Sequence, residues 1–594
     1  MKSFIYRTVR MNKKMFTLIV LLLLLLVFIN ALKPANAQNS NVIRIKADGT
    51  VTGTDKIKQD GTVYTVTADL YATVGQNEAF IFIEKNDITL NGAGYTVQGS
   101  GMGTAIYMLK NQNVVVENFV IRSFNIGIDF GIVNNLPPDS NYLSQPSAFN
   151  NKIFDNQIEV SLNSDSNQTS RSAGWCIYLN DAVQTLISGN NFTCHNPQGS
   201  IFFSNSTIDT NLIDNNFAGG GIYCLKSNQT TAQGNIIDGK PLIYLDSKSD
   251  QIIDGAGLVY LFNCNNIVVK NIKPTYEHAV TIQLVDTTKS EIVNSNGYIN
   301  LINSSDNSIH NNLLKSITLD ASSHNELYTN VVTSFSTCIK LCGASNFNKI
   351  YGNLLSDTIY SDDAERVRKA GFNTVAIQLG DIELGGVSNN DIQSNMIINH
   401  DCGFEFFLSS NNTLTTNTIT NCNAGIQLGK SNYNILTENN ITSCKYGISI
   451  YAESSNNAFH LNNFINNQIQ CVESHHQTFL SDKETYATDN TFDKDQKGNY
   501  WDTYTGKDIN GNGIGDTPYS IFENMTDNYP LMKPFKTSTT ISTPAYNPTT
   551  TQPPSNNNTQ TQFSKETKIF IIITIIIVAV ISGLLVYFRR LIFR

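Results

Sequence analysis

Three groups of residues combine side-chain types with a spacing that could do chemistry. Asp508, Asn510, Asn512, Gly513 and Asp516 follow the pattern D-x-N-x-N-G-x-x-D inside the tract GNYWDTYTGKDINGNGIGDTPYSIFENMTDNYPLMKPF, 498–535. Oxygen-bearing side chains at alternate positions of a tight loop, with glycine at the sharp turn, are what a hard cation such as Ca²⁺ requires. Two of those positions carry Asn rather than Asp, and Tyr519 stands where an EF-hand has its bidentate Glu. The alternative is a Gly/Asn turn that closes one end of the fold, with Tyr500, Trp501 and Tyr519 over its core. The run S-D-D-A-E-R-V-R-K at 361–369 is the second group. A polysaccharide lyase needs a basic residue beside carboxylates, so an enzymatic chain would use Asp362, Asp363, Arg366 and Lys369. Read plainly, the same run is a self-neutralised, solvated turn or short helix. His400, Cys422 and Cys444 form the third group, each 22 residues from the next. Imidazole and thiolate suit a soft metal such as copper, whereas stacked, buried free thiols are the simpler account.

That spacing of 22 belongs to the elements that must position these residues. Residues 388–470 repeat with this period: Asn395, Asn417 and Asn439 fall in one column, Gly403, Gly425 and Gly447 in another. Apolar columns run between them, Ile392/Leu414/Leu436, Ile397/Ile419/Ile441, Phe404/Ile426/Ile448 and Phe406/Leu428/Ile450. A unit this short cannot bury its own apolar face, so the repeats must stack. Apolar and polar residues alternate over short stretches, as in N-T-I-T-N and G-I-Q-L, separated by Asn, Gly and Ser; this is strand and turn, with no helical period. One repeat holds about three short strands and three turns, one coil of a parallel β-helix rising about 4.8 Å. The Asn columns then become amide ladders that satisfy polar groups at the turns. The glycine column, Gly425 included, reads as turn positions needing glycine's backbone freedom. Less regular versions of the pattern run back to the start, so the β-helix is expected over 42–480, with loops thrown out at 131–174 and 356–376 and a closing segment at 481–536.

The ends place the chain outside the cytoplasm. Arg7, Arg10, Lys13 and Lys14 precede an apolar stretch at 18–29 and an A-N-A site at 35–37, a secretory leader over 1–37. Residues 569–588 carry no charge and are followed by Arg589, Arg590 and Arg594. This predicts a single transmembrane helix at 568–588, a cytoplasmic tail at 589–594 and a Thr/Pro/Asn-rich stalk at 537–567. Nine N-x-S/T sequons agree with export. With 15% charged residues and a net charge of −9, there is no basic stripe for nucleic acid. The ten cysteines lack the clustering of a disulfide framework or a zinc site.

The 498–535 tract, the Asn-bearing repeats and the opening LNGAGYTVQGSG at 90–101 together resemble the NosD-type family of right-handed parallel β-helix proteins, a module also carried by archaeal surface proteins. The resemblance spans nearly the whole region expected outside the membrane. It implies the right-handed parallel β-helix, a pectin-lyase-like solenoid, and an exported location. It also implies copper binding as an accessory protein, for which His400, Cys422 and Cys444 are the candidates. The 508–516 loop is similar to the calcium loops of thrombospondin type 3 repeats.

Glycoside hydrolysis on such a solenoid needs two carboxyl groups facing one groove, and polygalacturonase-like chains add G-H-G and a late R-I-K. Here G-H-G is absent and R-I-K occurs once, at 44–46, before the first expected coil. The expected function is therefore a membrane-anchored surface β-helix that binds carbohydrate, or an envelope scaffold contacting a surface glycoprotein. A polysaccharide lyase or hydrolase is the alternative. Tyr107, Tyr178, Tyr223, Tyr260 and Tyr451 are aromatic candidates on different coils, although strand aromatics commonly stack on their neighbours.

Overall fold

The computed structural model describes residues 42–536 except 109, 131–147, 161–173, 195–198, 205, 225–228, 276–279, 358–372, 452, 475–486, 488 and 523–524. The leader, stalk, expected span and tail lie outside the described residues. Among the described residues no helix is long and apolar enough to cross a membrane.

Strands Asp391–Gln393, Met396–Ile398 and Cys402–Phe407 make one coil, and Thr413–Thr415, Thr418–Thr420 and Ala424–Gly429 the next. Each strand pairs in parallel with its equivalent 22 residues on, as Ile392 with Leu414, Ile397 with Ile419 and Phe404 with Ile426. The chain is the right-handed parallel β-helix that its repeats predict. Alternation explains the packing: the apolar member of each strand turns inward and is buried, its polar neighbours face out. The stack is reset once. Ile236–Ile237 and Lys240–Asp246 form an antiparallel hairpin around Asp238 and Gly239, and a ten-stranded sheet begins just after it.

The corners depend on residues in the left-handed region. Ser394, Asn399, Leu408 and Asn411 have φ of 54°, 64°, 53° and 58°, and each is followed by an inward polar side chain: Asn395, His400, Ser409 and Asn412. Two Asn ladders result, one through Asn395, Asn417, Asn439, Asn462 and Asn499, the other through Asn390, Asn412, Asn434, Asn457 and Asn490. Asn417 shows why they are stable. Its Nδ2 donates to Ile392 O (2.9 Å) and Asn439 Oδ1 (3.0 Å), while its Oδ1 accepts from the N and Nδ2 of Asn395 (both 3.0 Å). Every donor and acceptor of the amide is used.

Four expectations change in detail. Gly425 lies inside Ala424–Gly429, not at a turn. Glycine is needed there because a Cβ would stand 2.6 Å from Gly447 O and 2.8 Å from Ile441 Cγ2 on the next coil. The stretch 131–174 is not one loop: Lys152–Phe154 and Gln157–Val160 pair in parallel with Val115–Glu117 and Val120–Phe124. They belong to the stack because Asn151 and Asn156 supply buried corner amides. Ladder contacts continue past 480, because Asn490 and Asn499 recur beyond it. Arg44 does not precede the first coil; Ile43–Ile45 pairs in parallel with Ala79–Ile83, and Arg44 ion-pairs with Glu84 at 3.1 Å.

The 498–535 tract closes the stack. Trp501 lies on Phe464 with ring centroids 4.3 Å apart, and Tyr519 lies on Trp501 at 4.8 Å. Asp527 replaces the next Asn of the ladder: its Oδ2 accepts from Asn499 N (2.6 Å) and Trp501 Nε1 (2.8 Å), its Oδ1 from Tyr529 N (3.0 Å). Gly498 makes room for it, since a Cβ there would be 1.8 Å from Asp527 Oδ1. Burial pushes the Asp527 carboxyl up to about 6, against the pull of those donors.

Two outcomes follow. Gly425→Ala should cost about 1–3 kcal/mol by overpacking, read as a lower unfolding midpoint; an unchanged midpoint contradicts the register. Between 3.8 and about 6 the folded state holds a proton on Asp527 that the unfolded chain has released. Its contribution to stability is therefore fully present below that window and lost as pH rises through it. The stability difference between the native chain and Asp527→Asn should shift with pH across this window, by on the order of 3 kcal/mol; a pH-independent difference would refute the assignment.

Candidate functional site

The strand between the His400 corner and the Ser409 corner, and its equivalents on later coils, carries two inward apolar residues with one outward residue between them: Phe404-Glu405-Phe406, Ile426-Gln427-Leu428 and Ile448-Ser449-Ile450. Parallel register lines up the outward residues of successive coils. Gln283, Asn300, Thr318, Lys340, Gln378, Glu405, Gln427 and Ser449 form one continuous polar column. Coils sit about 4.8 Å apart, close to the spacing at which a linear polymer could meet successive side chains.

A cleft of about 470 Å³ opens on this column, with Asn300, Thr318, Lys340 and Gln378 on its polar side and Tyr298 and Phe335 beside them. Phe335 is 41% exposed, an apolar ring held at the mouth of a polar cleft. A second hollow of about 380 Å³ shares Tyr298 and is lined by Pro274, Thr275 and Lys315. In the two Asn ladders each amide bonds to the next coil, whereas along the column Gln283 donates to Cys224 O and Gln378 to Gly380 O (3.2 Å) and other side chains make no bond. Among the described residues, the side chains of Asn300, Thr318, Glu405 and Gln427 make no hydrogen bond, whereas Lys340 Nζ donates to Asp381 Oδ2 at 2.6 Å. Asp381 Oδ1 also accepts from Glu383 N (2.8 Å) and Leu384 N (3.2 Å). Burial pushes Asp381 up, but Lys340 and these N–H groups outweigh it and hold its carboxyl below the usual range. Burial pushes the Glu405 carboxyl up, with Lys340 pulling it down and Asp381 pushing it up. Partly exposed hydroxyls and amides, a ring edge and two unlike carboxyls can recognise a hydroxyl-rich ligand.

The residues singled out from sequence fare differently. Asp362, Asp363, Arg366 and Lys369 lie outside the described residues; the strands described on either side of them are Leu354–Asp357 and Val375–Leu379, the second of which supplies Gln378. His400, Cys422 and Cys444 do form a column, buried at the corner that precedes the groove strand. They do not make a metal centre. His400 Nε2 meets Cys338 Sγ at 3.8 Å, while Cys422 and Cys444 each turn back onto a backbone carbonyl at 3.5 Å. The hydrogen bond with Cys444, and then burial, hold the Cys422 thiol well above its usual range, while the same hydrogen bond holds the Cys444 thiol below its own. No group of three or more His, Cys, Asp or Glu converges among the described residues.

Asp508, Asn510, Asn512 and Asp516 share one exposed loop and bond its own groups. Asp508 accepts from Asn512 N (3.1 Å) and Gly513 N (2.8 Å), Asp516 from Ile509 N (2.5 Å) and Asn510 Nδ2 (3.2 Å). The loop holds its shape through these bonds, which engage the carboxylates of Asp508 and Asp516 with its own N–H groups.

Of the aromatic candidates, Tyr107, Tyr178 and Tyr223 share one outward column with Phe82 and Phe202. Tyr178 and Phe202 stack at 4.4 Å and 4°, Phe202 and Tyr223 at 5.5 Å and 10°. Their faces are spent on each other. Tyr260 is buried and accepts from Ile222 N at 3.1 Å, so it is core. Tyr451 is half-buried on the strand carrying Ser449. The groove residues Lys340, Gln378, Asp381 and Glu405 were not singled out. For Lys340, Gln378 and Glu405 the signal was the polar letter between two apolar ones in I-K-L, I-Q-L and F-E-F; Asp381, in G-D-I, carries no such signal.

Residues 371–506 match the family model described as periplasmic copper-binding protein (NosD). The chain thus carries a NosD-type β-helix segment, which includes Gln378, Asp381, Glu405 and Gln427. Comparison with curated proteins gave no match. Similar solved structures include a tailspike protein of E. coli bacteriophage HK620 in complex with a pentasaccharide (12% identity, 72% of each chain covered, TM-score 0.27). Others are the A-module of Azotobacter vinelandii mannuronan C-5 epimerase AlgE6 (9% identity, 73% of this chain and 89% of that one, TM-score 0.16) and PfbA, a surface adhesin of Streptococcus pneumoniae (13% identity, 67% and 85%, TM-score 0.19). The fold rests on the strand register, not on these likenesses.

Proposed function

We propose that this chain is an exported, surface-displayed β-helix that binds carbohydrate polymers along the polar column, held at the membrane through 568–588. The observation that carries the reading is a cleft in which Asn300 and Thr318 make no side-chain hydrogen bond among the described residues and Gln378 spends one donor on Gly380 O, beside Tyr298 and the partly exposed ring of Phe335. An aromatic ring beside amides and hydroxyls matches a sugar's apolar face and hydroxyl rim. Repetition along the column adds weak contacts, so affinity should grow with polymer length. The leader and the 568–588 run support export and anchoring. Copper handling is a second reading, supported by the family match at 371–506 alone.

The test is retention of neutral and acidic polysaccharides by the full chain in detergent. Phe335→Ala and Gln378→Ala should each weaken binding about tenfold through loss of ring contact or a hydrogen bond, with the unfolding midpoint unchanged. Retention of no polymer, or full retention by both variants, would rule the groove out.

A further inference from the structure

We infer that Glu405 is the groove's sugar-gripping carboxylate, accepting paired hydroxyl donors from a sugar residue that carries no carboxylate of its own, and that binding there releases a proton. The inference rests on the carbohydrate reading above and specifies its ligand. Glu405 stands in the polar column between Gln378 and Gln427, half-buried, and makes no hydrogen bond among the described residues. A half-buried carboxyl that receives no donor from the protein has both oxygens open to donors from a ligand. Vicinal hydroxyls supply two O–H donors to the two oxygens of one carboxylate, a charge-assisted arrangement.

The charges facing Glu405 decide the ligand class. Lys340, two coils before it in the column, is already engaged by Asp381 at 2.6 Å. Asp401 on the approach to the same strand is occupied by the N and Oγ1 of Thr374 (2.9 and 3.2 Å), the Cys402 thiol lies behind, and Gln427 on the next coil is uncharged. Once ionised, Glu405 is the uncompensated charge at this point of the groove. A uronate carboxylate would be repelled, whereas hydroxyl donors stabilise the ion.

Linkage sets the pH dependence. In the free protein burial raises the Glu405 carboxyl above its ordinary value, so it retains its proton to higher pH. Hydroxyl donors favour the ionised form, so the bound state releases that proton and affinity rises with pH until free Glu405 is itself ionised. Asp381 is held below the usual range, so it does not imitate this trend.

The experiment uses the full chain with mannan and dextran as neutral probes and alginate and polygalacturonate as acidic ones, from pH 4.5 to 7.5, against Glu405→Gln. Expected are retention of a neutral polymer, several-fold tighter at pH 7 than at pH 5, and about tenfold weaker, pH-independent binding by Glu405→Gln with an unchanged unfolding midpoint. Neutral polymer bound equally by both proteins, or with the same pH profile, would overturn the role of Glu405 and leave the carbohydrate reading intact. Preference for the acidic polymers would overturn the ligand class, and retention of no probe would overturn both readings. Should Glu405→Gln fail to fold, proton release on mannan or dextran binding, measured in two buffers of different ionisation enthalpy, decides the same point: none would refute it.

Discussion

A buried amide can be tolerated only if both its donors and both its acceptor sites are used, and this constraint organises the whole stack. Burying an unmet polar group costs about 1–3 kcal/mol, so an isolated Asn at a corner would be a liability. Asn417 avoids it by receiving from Asn395 and giving to Asn439. Each coil must then present the same side chain at the same height. The repeat, the left-handed residue before each Asn, and the parallel register are consequences of that demand.

A ladder also creates an end problem, because its last donor has no further amide to meet. Asp527 answers it with a carboxylate that gathers Asn499, Trp501 and Tyr529. The cost is a buried acid, visible in its elevated titration. The aromatic stack of Phe464, Trp501 and Tyr519 covers the apolar core at the same place. Glycine, asparagine and tryptophan in G-N-Y-W and the aspartate of D-N-Y-P-L thus form one closing device, although 28 residues separate Asn499 from Asp527.

The outer surface follows the opposite rule. Side chains there need no partner within the protein, so a strand that repeats its inner residues can vary its outer ones. Some outer columns are filled by self-stacking rings, as in Tyr178 with Phe202 or Tyr328 with Tyr351 at 5.0 Å. The column through Lys340, Gln378 and Glu405 instead keeps hydroxyls, amides and carboxyls beside a cleft. The thiols of Cys422 and Cys444 belong to the inner rule; they fill corner positions where other corners carry Asn or Ser.

The sequence by itself determined the coil: period, strand phase, inward columns and the Asn395 ladder are all local or strictly periodic, and a periodic pattern can stack in only one register. Closure by Trp501 and Tyr519 was legible as one of two readings for the same reason, since it terminates that pattern. Only the tertiary structure decided which outward residues meet. Lys340 and Asp381 are 41 positions apart and Glu405 lies 24 further on, because successive coils differ in length, which breaks the numerical period while strand pairing preserves the spatial one. The need for glycine at 425 was misread for a related reason: the clash that forbids a side chain comes from Gly447 on the next coil, a neighbour that exists only once the chain has turned.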